Sequence, residues 1–195
     1  RARTRARVVG VTGSVGKTGT KEALRLGRVL VGLLPAEAEA WGLLALMELQ
    51  ASRIPARTRP DGSPVLLPDQ DRARWDRLQI ARGARALERA RRLGGADGPY
   101  ALQAALAACH ARARRSEDTD WAAIAALYAR LMVVAPSPVV ALNRAVAVSR
   151  AEGAAVGLPL VDALMDEARL RGYAPLHAVR GDLLMSGYLK ADTET

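Results

Sequence analysis

DTDWAAIAALYARLMVVAPSPVVALNRAVAV, residues 118–148, spells out two amphipathic helices and the turn between them. In the first helix Trp121, Ile124, Leu127, Tyr128, Leu131 and Val134 recur at three- and four-residue steps, the spacing that lines one helical face. Asp118 and Asp120 stand at its start, where carboxylates favour the positive end of the helix. Ala135-Pro136 stops it, because a proline ring clashes with the preceding turn, and Ser137-Pro138 supplies an N-cap and a first helical residue for the second helix. There Val139, Leu142 and Val146 share a face, and Ala141, Ala145 and Ala147 are small positions where a neighbour can approach. Such a hairpin cannot bury its stripe alone, so it predicts a stack of similar units.

The flanking sequence repeats that pattern. Ala23, Leu26, Leu30 and Leu33 predict a helical face that ends at Pro35. Glu37 and Glu39 open a helix carrying Ala40, Leu43, Leu44, Met47 and Ala51 beside Trp41. Residues 53–70, RIPARTRPDGSPVLLPDQ, form a long connection with Asp61-Gly62 as a turn and Val65 to Leu67 as a short extended piece. A connection of that length is uncommon unless it packs on or binds something.

The next helix is expected from Asp71 to Leu93, with Trp75, Leu78, Ile80 and Leu87 apolar and a solvent side holding Arg72, Arg74, Arg82, Arg85, Arg89, Arg91 and Arg92. That side reads as a solvated surface or as an anion-binding face. Gly94-Gly95 breaks the helix, and Pro99 opens another with Leu102, Leu106 and Cys109. Beyond the central hairpin, Glu152-Gly153 is a turn and a helix runs from Ala155 to Glu167, with Pro159 in its first turns. A last helix from Pro175 to Met185 places Leu176, Val179, Leu183 and Leu184 inward. The fold class is all-α, a helical-repeat array of tetratricopeptide-like antiparallel pairs across residues 21–187, with about eight helices. A basic, glycine-rich segment (1–20), expected to be poorly ordered, precedes it and a tail (188–195) follows. That tail is too short and polar to cover the last apolar stripe, so self-association through 175–195, or fraying of those residues, is expected.

Composition narrows the function. The 195 residues contain no phenylalanine and one cysteine, which favours helices over sheets and excludes an internal disulfide. No apolar run is long enough to span a bilayer, and the chain reads as cytoplasmic, without membrane contact. It starts at Arg1 and reads as a fragment. A net charge of +9 raises nucleic acid as a partner, but the arginines are scattered among acids, so a basic nucleic-acid-contacting helical module is the lesser alternative. Two histidines, His110 and His177, and a single cysteine make no metal site, and no serine or cysteine has a base partner nearby in sequence. No catalytic residue, cofactor or metal is therefore expected.

At the N-terminus Val8 to Thr12 is strand-like and Gly13, Gly16, Lys17 and Thr18 follow in a glycine-rich turn, the arrangement that aims backbone N–H groups at phosphates. VTGSVGKTGTKEAL, residues 11–24, resembles the ATP-binding loop of the Mur ligases, which implies an alternative role as an ATP-binding protein. The likeness stops near residue 25, and no second strand is present to hold such a loop in a sheet.

The rest of the chain resembles a different family. RLGRVLVGLLP (25–35), EAWGLLALMELQASR (39–53), DGSPVLLPDQDRARWDR (61–77), GPYALQAALAACHA (98–111), EDTDWAAIAALYARL (117–131), PSPVVALNRAVAV (136–148) and LHAVRGDLL (176–184) are similar to the C-terminal extension of a group of extracytoplasmic-function RNA polymerase sigma factors. The resemblance implies a tetratricopeptide-like module that regulates the factor through protein contacts, with RNA polymerase, sigma-factor regions or a regulator as partner. The matching residues are Asp69, Gln70, Asp71, Trp75, Asp76, Asp118, Thr119, Asp120, Trp121, Tyr128, Pro136, Ser137, Pro138, Asn143 and Arg144. Asp118, Asp120, Asn143 and Arg144 are the interaction candidates, the last two being polar within an alanine-rich helix. The promoter-binding regions that precede this module in the family are not part of this sequence.

Overall fold

A computed structural model describes the backbone over residues 16–191 and side chains over residues 19–186. Eight α-helices follow one another: α1 (Gly16–Leu33), α2 (Ala38–Ala51), α3 (Arg77–Arg92), α4 (Pro99–Arg112), α5 (Trp121–Val134), α6 (Pro138–Glu152), α7 (Ala154–Asp162) and α8 (Ala174–Ala191). Four single 3-10 turns lie between them, and the only β pairing among the described residues is one antiparallel bridge between Thr58 and Pro64. Helix starts are set by local chemistry. Asp76 accepts the backbone N–H groups of Leu78 and Gln79, Asp120 accepts that of Ala123, and Pro99 and Pro138 occupy first turns where no N–H partner is needed. Gly153, at φ +105°, lets α6 pass into α7 with no intervening loop, a backbone setting that a side chain would strain.

The helices share three connected cores. Leu44, Ala45, Leu49, Leu87, Ala90 and Ala104 join α2, α3 and α4 around buried Trp75. Leu102, Leu106, Ile124, Leu131 and Ala147 join α4, α5 and α6. Leu142, Ala145, Val161, Leu170, Leu176 and Leu183 join α6, α7 and α8. Because α4 and α6 each contribute to two cores, the chain is a row of helix hairpins rather than separate bundles. The rows are unequal: first helices begin at Gly16, Arg77, Trp121 and Ala154.

Several expectations are corrected by this packing. The first helix begins at Gly16, not Lys21, and turns Leu24, Gly27 and Val31 inward, leaving Leu26 and Leu33 at 54% and 75% exposure. Leu26 and Leu33 fit the same period, and only the position of α2 decides which face is covered. The third helix starts at Arg77 instead of Asp71, and Leu78 is exposed while Arg72, expected on the solvent side, is buried. Val134 and Val139, at the turn of the central hairpin, are exposed. The helix after Gly153 ends at Asp162, with Glu167 capping a separate 3-10 turn. The final helix reaches Ala191, so residues 188–191 of the expected tail are helical. Of its expected stripe, Leu176 and Leu183 are buried on α6 and α7, Val179 and Leu184 are half-buried, and Met185 at the end of the expected helix is 62% exposed.

The long connection is a closed, self-packed loop. Asp61 accepts the backbone and hydroxyl hydrogens of Ser63, and the Arg59 and Val65 N–H groups reach the Ser63 and Arg57 carbonyls, so the paired segment is shorter and earlier than Val65 to Leu67. Asp76 N–H donates to the Ser52 carbonyl and fastens the two loop ends.

Candidate interaction surface

Two sites stand out, one buried and one open. The buried one surrounds Trp75, which two guanidiniums approach: Arg53 and Arg72 lie 5.5 and 5.2 Å from its ring centroid. Arg72 Nη1 donates to the His110 and Ala113 carbonyls at 2.6 and 3.1 Å, and Nη2 donates to Thr119 Oγ1 at 3.1 Å. One side chain from the loop thus ties the end of α4 to the approach to α5. Gln70 accepts from Arg53 Nε and donates to the Val65 carbonyl. Burial pushes the Arg53 guanidinium down to about 10, with the charges of Arg57 and Arg72 adding to the effect.

His110 stacks edge-on against Trp121 at 5.5 Å, and burial followed by the charges of Arg53 and Arg72 pushes its imidazole down to about 4. Its folded value lies below the unfolded 6.5, so the unfolded chain takes up the extra proton first. The contribution of His110 to stability is complete above pH 6.5 and falls away as pH drops towards about 4. We expect a loss of about 2 kcal/mol, the full shift being discounted for the ring's partial exposure. Urea unfolding at pH 7 and pH 4.5 measures it; His110→Gln declining as steeply as the parent would show that other groups carry the acid sensitivity.

The open site is a groove of about 360 Å³ over α2, between α1 and α3. Trp41, Leu44 and Ala86 form an apolar floor, and Trp41 is oriented by its Nε1 donating to the Pro35 carbonyl at 3.0 Å. Glu48 also lines it, almost wholly buried; one oxygen accepts Arg28 at 2.7 Å and the other has no protein partner. Arg82, Arg85 and Arg89 form the α3 rim. A second depression of about 480 Å³ lies where α6, α7 and α8 meet, bordered by Arg150 and Asp182.

The residues singled out from sequence are not brought into one site. Asp118 is exposed and paired with Arg115 at 3.2 Å, and that partner holds its carboxyl below the usual range. Asp120 caps α5. Between them Thr119 is buried under Arg72. Asn143 is exposed and Arg144 half-buried on α6, away from the groove over α2. Gly16, Lys17 and Thr18 belong to the first turn of α1, whereas the strand-like run from Val8 and Gly13 lie outside the described residues. The sequence reading missed the cluster of Arg53, Arg72, Trp75, His110 and Thr119, whose members are spread over 67 positions of chain. The one signal was Arg72 between two caps, Asp71 and Asp76.

The molecule is thus an all-helical array of stacked hairpins. Residues 11–91, which contain the groove and the closed loop, match a family of unknown function, DUF6596. Over 163 residues, 84% of this chain, the sequence is 50% identical to an uncharacterized protein of Rhizobium meliloti (strain 1021). The chain spans 38% of that relative's length. No solved structure matches. Among the described residues no helix is long and apolar enough to cross a membrane.

Proposed function

We propose that this chain is the protein-interaction and regulatory C-terminal module of an extracytoplasmic-function sigma factor. The observation that carries the reading is the open, apolar-floored groove across α1, α2 and α3, a shape suited to another protein's side chains. The sigma-like motifs support it by serving as joints: Asp71, Asp76 and Asp120 cap helices, Gln70 anchors the half-buried Arg53, and Thr119 anchors the buried Arg72. Such joints hold the array rigid, which a regulatory surface needs.

Titration calorimetry of the chain against core RNA polymerase, and separately against the promoter-binding regions of a sigma factor of this group, tests the reading. Binding to one of them tighter than about 10 μM, roughly −7 kcal/mol, is expected. ATP-Mg²⁺ should bind more weakly than about 1 mM. No binding to either protein, with micromolar ATP affinity lost on Lys17→Ala, would replace this reading with the Mur-ligase-like one. Tight duplex DNA binding in their place would favour the basic nucleic-acid module.

A further inference from the structure

We propose that the groove over α2 receives an acidic amphipathic helix of another protein, its carboxylates on the α3 rim and its apolar residues on the floor. The assignment stands whether or not that partner belongs to the transcription apparatus. Three observations converge on it.

Arg82, Arg85 and Arg89 follow an i, i+3, i+7 spacing, so they project from one face of α3 along about 10 Å of its axis. None of the three is paired with a carboxylate among the described residues, unlike Arg92 next to them, which holds Glu88 at 3.0 Å. Three like charges in a row repel, and a partner helix carrying acids at the same spacing meets each guanidinium with the flat carboxylate geometry it binds best.

The floor then selects among anions. Trp41, Leu44 and Ala86 present apolar surface that a phosphate backbone cannot use but that leucine-like side chains would cover. At its base Glu48 is ion-paired to Arg28 through one oxygen and keeps the other without a protein partner, an acceptor that can take an N–H or O–H donor but not a phosphate oxygen. A basic rim over an apolar floor with an acid at its base fits a protein helix with mixed character rather than nucleic acid.

Fluorescence anisotropy with the full chain tests the assignment. The probe is a labelled helical peptide of about 16 residues with Glu at i, i+3 and i+7 and Leu on the adjacent face, in about 0.1 M salt. We expect a Kd on the order of 10 μM, weakened at least tenfold by a Gln-for-Glu peptide, by a Ser-for-Leu peptide, and by the Arg85→Glu/Arg89→Glu variant. Both substituted arginines are exposed, so folding should be kept, and a Lys-for-Glu peptide should regain affinity for the charge-reversed variant. No binding of the Glu-Leu peptide at about 200 μM, or binding indifferent to the Leu-to-Ser change, overturns the proposal. So does a single-stranded RNA or duplex DNA of similar length binding more tightly than the peptide and losing affinity in the same variant.

Discussion

Arg72→Met should lower the unfolding free energy by about 3 kcal/mol, far more than replacement of an exposed, unpaired arginine. Methionine keeps most of the aliphatic stem but not the guanidinium, so the loss falls on hydrogen bonding rather than on packing. Two of the acceptors, the His110 and Ala113 carbonyls, belong to the end of α4, where no further turn of helix supplies N–H groups. The third, Thr119 Oγ1, is buried, and all three would be left facing an apolar side chain. The stack against Trp75 goes as well. Arg85→Met, on the open rim, should change stability by no more than about 0.5 kcal/mol. Denaturant titration compares the two; a deficit below about 1 kcal/mol for Arg72→Met would mean that the joint is held by the surrounding apolar contacts alone.

Gly42→Ala and Gly157→Ala should each destabilise by about 1–2 kcal/mol, although alanine is the better helix former by roughly 1 kcal/mol. At Gly42 in α2 a methyl group would sit 2.8 Å from the Ala101 backbone nitrogen and 3.2 Å from its Cα, so the start of α4 would have to move. At Gly157 in α7 it would meet the Ser149 side chain and lie 2.9 Å from the Ser149 Cα in α6. The two contacts involve different helix pairs and no shared neighbour, so the double variant should lose about 2–4 kcal/mol, close to the sum. Thermal unfolding of the two singles and the double reads this out. Gly19→Ala is the control: nothing lies within 4 Å of its added methyl, so the propensity gain should appear as slight stabilisation. Stabilisation at Gly42 would show that α2 and α4 can separate without cost.

The candidate surface was only partly legible. The α3 arginines were visible in the sequence as a basic helix side, with an anion-binding face named as one reading, yet nothing local distinguished Arg82, Arg85 and Arg89 from Arg72. The former line an open groove and the latter is buried under two other elements. Asn143 and Arg144, chosen because they are polar within an alanine-rich helix, lie apart from that groove, since polarity in a helix records exposure and not which neighbours share the surface.

What the sequence alone determined was the all-helical class, the number of helices and most of their starts. Those depend on contacts within four residues: the three- and four-residue apolar period, the cap Asp120, and the breaks at Pro35, Gly94-Gly95 and Pro136. The tertiary structure decided which of two apolar faces of α1 is covered, how the residue 52–76 connection closes on itself, and that Leu176 and Leu183 are the residues of α8 that reach the core. It also decided that Arg72 is a buried tie rather than a solvated charge, because its acceptors stand 38 to 47 residues away and no local pattern encodes a partner at that distance.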